Sequence, residues 1–295
     1  MKPPRFHYCA PAMLDDALSL LAKYGDETKV LAGGQSLVPL LNMRLAAPAY
    51  LVDINRIAEL QYIQPERDYL AIGATVRQSQ VEYTALFQVE HPLLLATIRQ
   101  IGHIQIRNRG TVVGSIAHAD PAAELPTLLT CLNGSILLQS SSGERLVKTE
   151  DFFQGYLATT LATGEMVVEV RFPRVDPRAG WAFEEFTRRA GDYALVGAAA
   201  VLTPGEDETC QAAQLAFAGV AGAPIRAEKV ERLLLGSTID EGTLNVAAEA
   251  AREVVSPDMS DVHATVEYRR VLTGELTRRI LRTAWRRRKK VKEVR

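Results

Sequence analysis

Two glycine-bearing segments, Ala32-Gly33-Gly34-Gln35-Ser36 and Thr111-Val112-Val113-Gly114-Ser115, stand well apart in this 295-residue chain. Each lies beside an apolar run and leads into a stretch of helical periodicity. A turn of this kind directs backbone N–H groups outward with no side chain in the way, which is how proteins hold phosphate. Two of them in one chain point to a ligand with two phosphates in its middle, such as a dinucleotide. Neither matches the GxGxxG or GxxxxGK[ST] fingerprints, so each alone also reads as a plain tight turn. The hydroxyls of Ser36 and Ser115, and the helix N-terminus expected behind the first turn, favour an anion.

The pattern around these turns is mixed helix and strand. Leu14, Ala17, Leu18 and Leu21 fall at helical spacing, with Gly25 as the stop. Strands are expected over 29–32 and 51–54, and Leu37, Leu40, Leu41 and Leu45 form one apolar helical face. A strand over 70–74 is followed by a polar helix over 76–87 and an apolar helix over 92–101. Asp120-Pro121 reads as a helix start, Asp as N-cap and Pro at the first helical position, running to Leu132. Strands over 136–138 and 166–172 follow. Residues 174–180 are the best linker. Beyond it, strands over 181–188, 195–202 and 212–217 precede helices over 226–235, 243–254 and 265–288, the order of an α+β domain. The expected division is an N-terminal lobe 1–56, a second lobe 57–175 and a C-terminal domain 176–295.

Composition narrows the chemistry. No run approaches eighteen apolar residues, so no membrane span is expected. The N-terminus lacks the apolar core of a signal peptide, which leaves the cytoplasm. Three widely spaced cysteines (Cys9, Cys131, Cys210) make no zinc or iron–sulfur ligand set. The net charge of −1 hides a basic tail: residues 269–295 hold twelve Lys/Arg against two acids, a local +10. A solvated helix end, a partner contact or nucleic acid would each account for it, in that order of preference. His118, Asp120 and Glu124 do not make a metal set. A Glu124 carboxylate hydrogen-bonded to a ligand hydroxyl is the better reading. Arg188-Arg189-Ala190-Gly191-Asp192-Tyr193 is either a hairpin turn with a surface tyrosine or an aromatic ring laid against a planar cofactor.

Taken together, these segments resemble a known family. Ala32-Gly33-Gly34-Gln35-Ser36-Leu37 with Pro39-Leu40 resembles the first FAD motif of the medium, FAD-binding subunits of molybdenum hydroxylases, the xanthine dehydrogenase and carbon monoxide dehydrogenase group. Ile106 to Ser115, then Ala117-His118-Ala119-Asp120-Pro121-Ala122-Ala123-Glu124, resembles the second, and Gly191-Asp192-Tyr193-Ala194 the tyrosine loop. The resemblance implies an α+β fold. A two-lobed PCMH-type FAD-binding region would be joined to a C-terminal domain with a three-stranded antiparallel sheet and helices.

It also implies an oxidoreductase subunit with no catalytic residue or metal of its own. Ala32, Gly33, Gly34, Gln35 and Ser36, with Thr111, Val112, Val113, Gly114 and Ser115, would wrap the FAD pyrophosphate. Glu124 would contact the ribityl–phosphate portion, and Tyr193 would pack on the isoalloxazine. The partners implied are a small subunit with two two-iron two-sulfur clusters and a large subunit with the molybdenum cofactor, as a dimer of heterotrimers. Electrons would leave through FAD to an external acceptor. The cysteine count fits that division and argues against relatives whose flavin subunit holds a four-iron cluster. Val113 stands where the family commonly has Gly. A β-branched residue belongs at negative φ, so its phosphate contact is the least secure of the set. The motif details favour an N-heterocycle or aldehyde as the substrate over carbon monoxide. Two other functions remain open: a stand-alone FAD-dependent oxidoreductase of the same fold, and a binding protein docking nucleic acid through the basic tail.

Overall fold

The N-terminal unit forms around a three-stranded parallel sheet. In the computed structural model, which describes residues 2–289, Tyr50–Asp53 lies between His7–Cys9 and Thr28–Leu31. Helix Leu14–Tyr24 covers the sheet with Ala17, Leu18 and Leu21 and ends at Gly25. His7–Cys9 was not legible beforehand, because three largely exposed residues show no alternation. The leucine face expected over 37–45 is cut short. The helix is Leu37–Asn42, Arg44 turns to φ 60°, and Leu45 is 72% exposed. A helix this short is held by packing rather than propensity, and of its residues only Leu41 is buried.

The second lobe is a five-stranded antiparallel sheet in the order Ile63–Pro65, Tyr69–Gly73, Met166–Pro173, Ser135–Ser140, Gly143–Lys148. Its outer strands escaped the sequence pattern because they are mostly exposed; in Gly143–Lys148 only Val147 is buried. The polar helix expected over 76–87 is two helices, Gln78–Tyr83 and Leu86–Glu90, broken where Thr84 becomes extended. Asp120 is also corrected. Ala119 ends the preceding helix in the left-handed conformation, and Asp120 accepts from Ala122 N–H at 2.9 Å in a local turn. The next helix, Glu124–Cys131, starts from Ala123 instead.

The C-terminal sheet has the three antiparallel strands expected, Gly180–Phe186, Val196–Pro204 and Cys210–Ala218, with a two-residue fourth strand Ile225–Arg226 at its edge. Successive side chains of a strand point to opposite faces, and Val196–Pro204 uses both. Ala199 and Val201 join Ala216 in the large core shared by the two N-terminal lobes. Ala198, Ala200 and Leu202 join Leu215 and Phe217 in a second core under helices Glu228–Leu234, Glu241–Ala251 and Val266–Arg287.

Much of the basic tail is used inside the fold. Arg282 pairs with Glu241 at 2.6 Å, Arg278 with Glu275 at 2.8 Å, and Arg279 with Glu184. Arg287 lies 4.5 Å over the Trp181 ring and Arg288 3.9 Å over Trp285. Lys290, Lys292 and Arg295 lie outside the described residues. Among the described residues, no helix is long and apolar enough to cross a membrane.

Candidate functional site

A cavity of about 830 Å³ runs between the two N-terminal lobes and reaches the C-terminal domain. This is within the size range of cofactor sites. Ala32, Gly33, Gly34, Gln35, Ser36, Thr111, Val113, Gly114, Ser115, Glu124 and Tyr193 all line it. Val112 does not.

The two glycine segments touch. A Cβ on Gly33 would stand 2.6 Å from the Arg109 carbonyl oxygen, 2.8 Å from Gly110 Cα and 2.9 Å from Thr111 N. Only glycine permits that backbone approach. Gly34 takes φ +74° and turns the chain into helix Leu37–Asn42. Among the described residues, the N–H groups of Gly33, Gly34, Gln35 and Ser36 have no hydrogen-bond acceptor. These residues are partly exposed along the cavity wall, and a row of backbone donors ahead of a helix start suits an anionic ligand.

The second segment is a capped helix start rather than a glycine turn. Thr111 is the N-cap of helix Val112–His118, its hydroxyl accepting from Gly114 N–H at 2.9 Å. Val112 has a fully buried side chain, and its N–H donates to the Val76 carbonyl at 3.1 Å. Ser115 N–H donates to the Thr111 carbonyl at 3.3 Å. Val113 is helical, at the negative φ that a β-branched residue needs, and its N–H has no acceptor among the described residues. Among the described residues, the Val113 N–H and the Ser115 hydroxyl of this segment have no hydrogen-bond partner.

At one end of the cavity, Glu124 opens helix Glu124–Cys131, and burial pushes its carboxyl up to about 7. Tyr193 hangs from the loop between strands Gly180–Phe186 and Val196–Pro204. Its ring is 65% exposed, and its phenol is raised by partial enclosure and by the nearby Asp120 and Glu124. Gly191, at φ +86°, lets this loop lie against the His103 ring, 2.4 Å from where a Cβ would sit. The other end is a slot formed by Leu21, Thr28, Val30 and residues 161–167. Nothing in the sequence of 161–167 marks it as a ligand wall.

Residues 4–175 match the family described as the FAD binding domain in molybdopterin dehydrogenase, and 181–284 the CO dehydrogenase flavoprotein C-terminal domain. The chain belongs to this family. It is an FAD-binding medium subunit of the molybdenum hydroxylases, and its activity is that of an oxidoreductase subunit. It is 39% identical over 293 residues to the 6-hydroxypseudooxynicotine dehydrogenase complex subunit alpha of Paenarthrobacter nicotinovorans, covering 99% of both chains. It is 39% identical over 285 residues to the caffeine dehydrogenase subunit beta of a Pseudomonas species, covering 96% of each. A structure of carbon monoxide dehydrogenase from Hydrogenophaga pseudoflava, lacking the Mo-pyranopterin moiety of the molybdenum cofactor, superposes with TM-score 0.94 at 36% identity. That match covers 98% of this chain and 100% of that one.

Sequence reasoning missed one carboxyl in this flavin subunit. Glu185, on strand Gly180–Phe186, has a buried Oε2 with no hydrogen-bond partner. Burial, and then the charge of Glu124, push it up to about 8 from the usual 4.5. A carboxyl whose folded pKa is raised favours folding below its unfolded value, and that contribution is lost as pH rises through the folded value. The window here is about pH 4.5 to 8. Glu185→Gln, which cannot ionise, is expected to raise apo-protein stability by about 2 kcal/mol at pH 8.5 and by little at pH 5. Urea unfolding at the two pH values checks this; an equal difference at both would rule out the titration.

Proposed function

We propose that this subunit holds FAD along the cavity and passes electrons from iron–sulfur clusters of a partner subunit to an external acceptor. The observation that carries the reading is the continuous cavity, which joins free N–H groups on both glycine segments to the Glu124 and Tyr193 end. The N–H groups of Gly33 to Ser36 and of Val113, with the Ser36 and Ser115 hydroxyls, would hold the pyrophosphate. The slot at Leu21, Val30 and 161–167 would take the adenosine. Glu124 would meet the ribityl end, and Tyr193 would cover the isoalloxazine and keep water from it. FAD supplies a centre that exchanges electrons singly with clusters and in pairs with organic carriers. The lobes would be 1–56 and 57–175, with the C-terminal domain 176–295.

The complex would contain a small subunit with two two-iron two-sulfur clusters and a large molybdenum subunit, paired as a dimer of heterotrimers. Three separate cysteines cannot ligate such clusters here, and two relatives are named as subunits of larger dehydrogenases. The substrate oxidised on the molybdenum subunit would be an N-heterocycle or an aldehyde, a reading that fits relatives named for caffeine and for glyceraldehyde. Purified alone, the chain is expected to bind one FAD and to turn over no organic substrate; the co-expressed complex should do both. Substrate turnover by the chain alone would replace this reading with a stand-alone flavin oxidoreductase. Failure to retain FAD would overturn both.

A further inference from the structure

The cavity lining includes four carboxylates, Asp26, Asp120, Glu124 and Glu165, and little positive charge. Among the described residues, Lys29 is the only Lys or Arg that lines the cavity, and it sits at the slot end. A cation stands directly behind the two glycine segments instead. Arg77, at the start of helix Gln78–Tyr83, donates from Nη1 to the Arg109 carbonyl and from Nη2 to Asn55 Oδ1. Asn55 in turn donates from Nδ2 to the Ala32 carbonyl at 2.9 Å. The first segment, Asn55, Arg77 and the approach to the second segment thus form one hydrogen-bonded chain. It spans the place where Gly33 packs on residues 109–111.

Two consequences follow from that geometry. In a trans peptide, C=O and N–H point opposite ways. Asn55, by holding the Ala32 carbonyl, fixes the direction of the Gly33 N–H. Arg77 also makes no ion pair with any carboxylate among the described residues; its partners are neutral oxygens. The nearest charges are Arg109, a like charge, and Asp53, whose carboxylate already takes hydrogen bonds from Tyr8 and Asn55. Half-buried, and with no carboxylate in direct contact, the guanidinium keeps part of its field for whatever lies across the peptides.

We infer that Arg77 and Asn55 are positioning residues for the pyrophosphate, Asn55 aiming the Gly33 N–H and Arg77 clasping the two segments while supplying the counter-charge behind them. The inference rests on the FAD reading above. The test is FAD titration of the full-length apo chain, by flavin fluorescence, at low and high salt. Arg77→Gln is expected to weaken FAD about 10- to 100-fold at low salt, the size of losing a charge-assisted hydrogen bond. Its affinity should also depend less on salt than wild type, because one screened attraction is gone. Arg77→Lys should keep the salt dependence while recovering only part of the affinity, since an ammonium lacks the guanidinium fork.

A weakening equal at both salt concentrations, with Arg77→Lys no better than Arg77→Gln, would overturn the counter-charge. Asn55→Ala leaves the cation in place and should weaken FAD with an unchanged salt dependence. Wild-type affinity in that variant would overturn the positioning role, even where Arg77→Gln does not fold. Wild-type protein that binds no FAD would instead defeat the functional reading itself.

Discussion

Gly33→Val is expected to leave the protein without FAD, an affinity loss of about 100-fold or more. The reason is backbone, not side chain. Any Cβ at this position falls inside contact distance of Arg109 O, Gly110 Cα and Thr111 N. Main-chain atoms cannot rotate away, so the two segments must separate, and the N–H row on the first separates from the helix start on the second. Even Gly33→Ala meets the same three atoms and is expected to lose most of the cofactor. Gly114→Val is the informative contrast. Its Cβ would stand 2.4 Å from Thr111 Oγ1, the tip of a side chain that can turn aside. That movement costs the N-cap hydrogen bond, about 1 kcal/mol, so the FAD loss should be partial. FAD per chain after desalting measures both. Full FAD content in Gly33→Val would mean that the pyrophosphate lies elsewhere.

That contrast also shows what a single sequence discloses. Gly33, Gly34 and Ser36 are legible because strand, Gly-Gly and helix stand in immediate succession, and the free donors follow from that local order. Thr111 to Ser115 looked like a second glycine turn, but the local physics is that of a capped helix. Thr111 binds the Gly114 N–H, and Val112 spends its own N–H on Val76 and its side chain on the core. The threonine three residues before Gly114 was the available signal for that cap. For Glu124 and Tyr193 the residues alone offered a carboxylate able to meet a ligand hydroxyl and a choice between a hairpin tyrosine and a ring on a planar cofactor; the assignment to FAD came from the family resemblance. Glu185, Asn55, Arg77 and the 161–167 wall carry even less of a signal. Arg77 reaches Arg109 across 32 positions and Asn55 across 22, and contacts at that separation leave no periodicity to read. The strand misses have a similar cause: His7–Cys9 and Gly143–Lys148 are exposed strands held by backbone pairing, which side-chain pattern does not encode.

Arg269→Met is expected to cost about 3–5 kcal/mol of stability. Arg269 lies on helix Val266–Arg287 and is 4% exposed. Its guanidinium donates to the carbonyls of Met259 at 2.8 Å, Gly219 at 3.1 Å and Leu195, and to Asp261 at 2.6 Å. Methionine fills much of the volume but leaves those buried carbonyls without donors, each costing about 1–3 kcal/mol when unrelieved by water. Asp261 contributes less, because its side chain is 45% exposed. Asp261→Asn should therefore cost below about 1 kcal/mol. Urea unfolding of both variants separates the carbonyl contribution from the ion pair, and a loss in Arg269→Met no larger than in Asp261→Asn would refute the account. The consequence reaches the cavity. Leu195 is two residues beyond Tyr193, and the Gly219 N–H donates to the Pro121 carbonyl at 2.9 Å, in the segment that leads to Glu124. One guanidinium thus ties down both pieces of chain that present Tyr193 and Glu124. Under conditions where Arg269→Met remains folded, its bound flavin should fluoresce more strongly than in wild type if Tyr193 covers the ring as proposed, because the tyrosine loop is then loosened.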